Sequence, residues 1–444
     1  MCCDRISELP DSLLTHILSY LPTKDSVKTS VLSKRWELLW LNVSGLDLNT
    51  MDFLPYGEAL LGFMDRFLEF NCGSFNRQTR LQKFKINYDN YKSFGNSSQI
   101  REWLVTAVDH LGVQHLDFKD QNATCYSCFL PVNIYQSKTL VSLKLQRVVV
   151  PKNPEFVFSL PCLKIMHLKK IRYGKGGHIF IEKLISGCQV LEELNLVRYQ
   201  FGSLKTMLKT LRVRSQTLKI FYLTFHPVRS GNDDSVEIDA PRLIKYMSFS
   251  DRIVVKNLNS LLKIDIDTDF NIKPLLLSEV LSKRDIIHEF LTGIASVTHM
   301  IISQPTLEVL YHYSKLGPFP KFYNLAHIQA AFSSSSLSLL SVFLESCSNL
   351  KSLILDFSVS TEPEQKMDLT KVPQCLISTL ERVEINKLNM WEGPGMKLAT
   401  YFIMNSAVLK KISLNDSHMT KQEIDFYNGL FILIRSFRKC QVFF

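Results

Sequence analysis

Between residues 9 and 21 the apolar positions Leu13, Leu14, Ile17, Leu18 and Leu21 recur at three- and four-residue spacing, which predicts a short amphipathic helix. Pro10 suits its first turn, where a missing N–H leaves no bond unmade, and Pro22 stops it. Thr23 is placed to cap a second short helix carrying Val27 and Val31, and Ser33 a third holding Trp36, Leu39 and Trp40. Some forty residues cannot bury so many large apolar side chains among themselves, so part of this apolar surface is expected to be an interface. Tyr56 to Phe70 reads as a further amphipathic helix.

From residue 81 the pattern changes to a recurring L-x-x-L-x-L, with Ile, Val, Met or Phe standing in for Leu. Leu81/Phe84/Ile86, Val113/Leu116/Phe118, Leu140/Leu143/Leu145, Leu163/Met166/Leu168, Leu191/Leu194/Leu196 and Leu218/Phe221/Leu223 follow at intervals of 32, 27, 23, 28 and 27 residues. A recurrence of about 20–29 residues is the spacing of leucine-rich repeats, each a short strand and a returning segment. The series runs less evenly through Leu243, Leu261/Ile264/Ile266, Val297/Met300/Ile302, Leu325/Ile328, Leu350/Leu353/Leu355, Leu380/Val383/Ile385 and Leu409/Ile412/Leu414. The alternation slips after Leu243, Leu275 to Ile294 looks helical, and Leu307 with Leu310 fits either another unit or a connection. Ser98 to Leu111 and Phe180 to Gly187 read as helical returns. Such units bury their apolar sides only by stacking, so the expected fold is α/β, a solenoid bent into an arc or horseshoe.

The segment DRISELPDSLLTHILSYLPTKDSVKTSVLSKRWELLW, from Asp4 to Trp40, resembles a plant F-box over nearly its full length. The resemblance implies a small three-helix module that docks on a Skp-type adaptor, and through it on cullin and RING subunits. It assigns the adaptor contact, or its direct support, to Leu9, Pro10, Leu13, Ile17, Leu18, Leu21, Pro22, Val31 and Trp36. Residues 372–416, with Val372-Pro373, Cys375-Leu376, Leu380/Val383/Ile385, a helix through Leu398, Tyr401, Phe402 and Met404, and Leu409/Ile412/Leu414, resemble the FBD module of plant F-box leucine-rich-repeat proteins. The expected division is an F-box over 1–48, a linker helix over 49–80, repeats over 81–371, and the FBD with a helical tail as terminal cap over 372–444.

Composition fits a folded chain: of 444 residues 46% are hydrophobic and 21% charged. No run approaches the ~20 apolar residues of a membrane span and no signal peptide opens the chain, so an intracellular protein of nucleus or cytoplasm, without membrane partners, is expected. The net charge of +10 lacks the dense Lys/Arg block of a nucleic-acid arm. Cys125 and Cys128 form a C-x-x-C without the second ligand pair that structural zinc needs, and Gly174 to Gly177 lacks the Walker spacing. No Ser, Cys or carboxylate stands with a histidine in a catalytic arrangement, so neither catalytic residues, nor a metal, nor a cofactor is expected.

Function should then lie on surfaces. In the repeat strands the residues between the inward apolar letters project onto the concave face, and in the early repeats these include Lys83, Lys85, Lys119, Lys144, His167 and Lys169. Clustered ammonium groups there would favour an acidic or phosphorylated protein target. The expected role is a non-catalytic, substrate-choosing subunit of a Skp–cullin–F-box ubiquitin ligase. The alternative is a scaffold that binds the adaptor or other partners without ubiquitination.

Overall fold

The structure, a computed structural model, describes residues 6, 8–53, 57–72, 81–89, 97–121, 130–150, 156–173, 177–199, 210–226, 235–249, 252–258, 260–270, 272, 277–333, 336–357, 371–386, 394–415 and 441–443. The chain forms two compact units, Met1–Leu218 with His226–Val228, and Lys219–Phe225 with Arg229–Phe444.

The first unit opens with helices α1 (Asp11–Leu18) and α2 (Thr23–Lys28), followed by 3-10 turns at Thr29–Val31 and Leu39–Asn42. Leu14, Leu18, Trp36 and Leu39 form its core, with Leu9 and Val43 packed against it. The buried Ser26 hydroxyl donates to the Leu18 carbonyl at 3.0 Å, satisfying one of the orphan acceptors at the end of α1. The expected third helix is not α-helical. Trp36 N–H bonds to the Ser33 carbonyl and Leu39 N–H to that of Trp36, both i to i−3. Three residues per turn put Trp36 and Leu39 on the same edge, where both enter the core. Thr23 does not cap α2 either. Pro22 holds that position, and the Thr23 hydroxyl accepts the Asp47 N–H at 2.8 Å, tying α2 to the first strand.

That strand, β1 (Gly45–Asn49), begins before the first expected repeat. It pairs in parallel with β2 (Lys83–Tyr88). The order continues through β3 (His115–Asp120), β4 (Ser142–Gln146), β5 (Ile165–Lys169) and β6 (Glu193–Tyr199), each parallel to the one before. The predicted helices appear as α3 (Gly57–Cys72), α4 (Ser97–Val105) continuing into a π-turn at Thr106–His110, and α5 (Gly177–Ser186). A seventh strand, β7 (Thr210–Arg214), packs on α5, and Arg212 N–H donates to Glu182 Oε1 at 3.0 Å.

One repeated device holds successive strands in register. Thr139 and Thr217 stand immediately before the first leucine of a repeat, and each hydroxyl donates to the carbonyl of the corresponding apolar residue one repeat earlier, Val113 at 3.0 Å and Leu191 at 2.8 Å. Ser137 and Ser215, two residues before these threonines, accept the N–H groups of Thr139 and Leu140, and of Thr217 and Leu218. A recurring S-x-T-L thus satisfies backbone groups at each turn that the strands cannot reach.

In the second unit β8 (Ile220–His226), β10 (Lys245–Phe249), β12 (Lys263–Ile266), β13 (His299–Ile302), β14 (His327–Phe332), β15 (Ser352–Phe357), β16 (Arg382–Asn386), β17 (Lys411–Asn415) and β18 (Gln441–Phe443) form a parallel series. The slip after Leu243 has its reason here. β9 (Ser235–Asp239) and β11 (Arg252–Asn257) are returning segments that pair with each other as strands, where helices serve elsewhere. Later returns are helical: α6 (Leu277–Gly293), α7 (Gln304–Ser314), α8 (Leu339–Leu344), α9 (Gln374–Ser378) and α10 (Pro394–Asn405). Leu307 and Leu310 lie buried on α7, a connection and not a strand. Of the expected tail, 416–440 lies outside the described residues, and β18 adds a strand beyond Lys411–Asn415.

Candidate docking surface and strand face

Helix α1 has eight residues and apolar side chains on both sides. Leu14 and Leu18 are buried in the core, whereas Leu13 and Ile17, one turn apart, are 48% and 45% exposed, and Leu21 beyond the helix end is exposed as well. Pro10 and Pro22 are exposed at the N-cap positions of α1 and α2, and Val31 is 86% exposed. Leu9 is half-buried against the core; Leu18 and Trp36 are inside it. Of the residues assigned by resemblance, Leu13, Ile17, Leu21, Pro10, Pro22 and Val31 can thus meet a partner directly, and Leu18 and Trp36 support them from beneath. Tyr20, Leu32 and Leu38, which the motif reading left out, are exposed apolar side chains on the same module.

Arg35 fixes the entry to α1. Its guanidinium donates to Asp11 Oδ1 through Nε at 3.0 Å and through the terminal nitrogen at 2.7 Å, and also to the Leu9 carbonyl. Asp11 in the first turn suits the positive end of the helix dipole.

On the strands the burial alternates, and the parallel register aligns the outward residues of the first unit into rows. Lys83, His115, Ile165 and Glu193 form one, with the buried Ser142 between His115 and Ile165. Asp47, Lys85, Asp117, Lys144, His167 and Asn195 form the next, and Asn49, Asn87, Lys119, Gln146, Lys169 and Val197 the third. All six residues expected on this face share it. Acids share the face with the lysines: in the middle row Asp47, Lys85, Asp117 and Lys144 alternate, Lys85 pairs with Asp47 at 3.0 Å, and His167 Nε2 lies 2.6 Å from Glu193 Oε1. The histidines add little charge near neutrality. Burial, then Lys144 and Lys83, hold His115 below its ordinary value, and burial outweighs Glu193 in lowering His167.

Among the described residues three buried thiols are the reverse of activated: burial pushes Cys188 up to about 12 and Cys375 to about 11, and raises Cys347 further. Among the described residues no cluster of His, Cys, Asp or Glu could hold a metal ion, and no helix is long and apolar enough to cross a membrane. Cys125, Cys128 and Gly174 to Gly176 lie outside the described residues.

Comparison with known proteins matches these parts in order. The F-box domain profile covers residues 6–46, a profile for the LRR repeats of FBD-associated F-box protein At5g56370 covers 100–268, and the FBD profile covers 368–414. The chain is 54% identical to the F-box/FBD/LRR-repeat protein At2g26030 of Arabidopsis thaliana, over 100% of this chain and 99% of the relative. It is 52% identical to the F-box/FBD/LRR-repeat protein At5g44980, and 46% identical to At1g13780, of the same plant. Those alignments span 99% of this chain in both cases, and 99% and 97% of the relatives. The F-box implies binding to a Skp-type adaptor, and with the repeats it marks an adaptor-type protein. With its helical module, parallel repeat strands and C-terminal module all in place, the chain belongs to the F-box/FBD/LRR-repeat family.

Proposed function

We propose that the chain is the target-choosing subunit of a Skp–cullin–F-box ubiquitin ligase, holding the Skp-type adaptor with its F-box and a protein target on its strand face. The observation that carries this is the outward apolar side of α1. Leu13, Ile17 and Leu21 stay exposed although Leu14 and Leu18 of the same stretch fill the core. Covering such side chains yields roughly 1.5–3 kcal/mol each, enough for a stable plug when several are buried together. Arg35 and Asp11 act as positioning residues, fixing the start of the helix. The chain contributes proximity, and the chemistry of ubiquitin transfer comes from the recruited subunits.

The target lies on the outward rows of the strands. In the first unit Lys83, Lys119, Lys144 and Lys169, with Asp117 and Asn195 between them, suit a partner of mixed charge, and Lys85 and His167 are engaged by Asp47 and Glu193. Two measurements on the full chain test the proposal. The wild type should co-purify with a Skp-type adaptor, and reconstitution with cullin, RING and conjugating enzyme should ubiquitinate a captured partner. Adaptor binding without any ubiquitination of captured partners would favour a sequestering scaffold instead.

A further inference from the structure

We infer that the open face of the second unit carries a binding row for an acidic, extended segment of a partner protein, an inference that rests on the adaptor reading above. The parallel register places Lys263, His299, His327, Ser352, Arg382 and Lys411 side by side as the first outward residues of successive strands. No carboxylate interrupts this row, whereas the corresponding row of the first unit ends on Glu193; the acids Asp265 and Glu384 stand in the next row of the second unit. Lys351, one residue before Ser352, adds an exposed cation at the same end of its strand.

Among the described residues no carboxylate forms a close ion pair with Lys263, Lys351 or Arg382. Glu381, the nearest acid in sequence to Arg382, is held by Lys410 at 3.0 Å, and its carboxyl is lowered by that bond first and by Lys351 and Arg382 as well. Asp265 lies further along the strand of Lys263 and Asp267 just beyond its end, both outside the row. The imidazoles of His299 and His327 stack at 4.4 Å, a flat surface at its middle. These groups feel one another: after burial, His327 and Lys263 hold His299 down, and Lys351, Arg382 and Lys263 hold His327 down.

Neighbouring strands stand about 4.8 Å apart, so the row spans roughly 24 Å, the length of about seven extended residues. Beside it, Ile301 and Ile354 are outward in the next row, and Ile301 is 41% exposed. Gln329 and Asn386 both donate to Asp356, and Asn415 donates to Asn386, so these groups already satisfy one another. The occupant that fits places carboxylates over the cation row and an apolar side chain over the isoleucines.

The test uses the full chain purified by itself, and fluorescence anisotropy of a short fluorescein-labelled peptide of glutamates with a central leucine. A peptide with glutamines in place of the glutamates serves as control. The glutamate peptide should bind at least about tenfold more tightly than the glutamine peptide at low salt, and the difference should shrink as salt rises. Lys263→Gln with Arg382→Gln should weaken it about tenfold, Lys263→Glu with Arg382→Glu more, and Lys138→Gln with Lys183→Gln, two exposed first-unit lysines off the strand rows, by less than about twofold. Equal binding of the two peptides, or unchanged binding by the Lys263/Arg382 variants, would overturn the inference. So would an equal loss in the first-unit variant. The Lys263/Arg382 glutamine pair decides if the charge reversal unfolds the protein. Adaptor capture, read on the same preparations, separates the two readings: peptide binding without adaptor capture supports the row and overturns the ligase role.

Discussion

Ile17 and Trp36 show how differently two residues of one motif behave. Ile17 is 45% exposed on α1, so Ile17→Asp should leave the melting temperature within about 2 °C of wild type while weakening adaptor capture. Trp36 lies in the core at 5% exposure, and Trp36→Ala should cost about 3–5 kcal/mol and loosen the F-box itself. Chemical denaturation beside adaptor pull-down distinguishes the two. Thr217 is a third kind of residue. Thr217→Val removes the donor to the Leu191 carbonyl and should cost about 1 kcal/mol in a urea titration. The histidines set a pH response. Burial, reinforced by neighbouring cations or a second imidazole, holds His115, His299, His312 and His327 below 6.5. The unfolded chain therefore takes up their protons first, so stability should hold above pH 6.5 and decline as the pH falls below it, as thermal melts across that window would report.

Among the elements, α1 was legible in its extent but not in its orientation. A period near 3.6 with prolines at both ends marks a helix, yet with apolar residues on both sides the letters do not say which side is core; packing against Trp36 and Leu39 decides it. β1 was legible in principle, since Val43, Leu46 and Leu48 repeat the L-x-x-L-x-L spacing, but it follows the apolar run of Trp36 to Leu41 without a break. β9 alternates Val236, Glu237 and Ile238 without the leading leucine that marks the other units, and β18 has only three residues, too few for any period. The pairing of charges on the strand face was illegible for a related reason: Lys85 and Asp47 come from strands far apart in sequence, and Asp47 lies on a strand ahead of the first legible repeat. Where α5 ends, Gly187 meets Phe158, with the Phe158 carbonyl oxygen 2.7 Å from where a Cβ would stand. Phe158 is fixed by edge contacts to Tyr135 and Phe180, so it has little room to yield. Gly187→Ala should destabilise the first unit by about 1–3 kcal/mol, measured by denaturation, with adaptor capture retained at low temperature.

Across the whole molecule the F-box and the strands present different kinds of surface. The F-box presents a short apolar plug whose geometry is set by its own small core, Arg35 and the Thr23–Asp47 bond to the first strand. The strands present outward rows whose inward neighbours are almost uniformly apolar, so on the proposed function selectivity resides in outward residues that packing does not fix. The central claim is that the outward side of α1 is the adaptor contact. Its most direct test is the affinity of the purified full chain for a Skp-type adaptor, compared between wild type and Leu13→Asp with Ile17→Asp, with folding checked by circular dichroism. The account predicts a loss of at least about a hundredfold in affinity at unchanged helicity. Wild-type affinity in that double variant would contradict it.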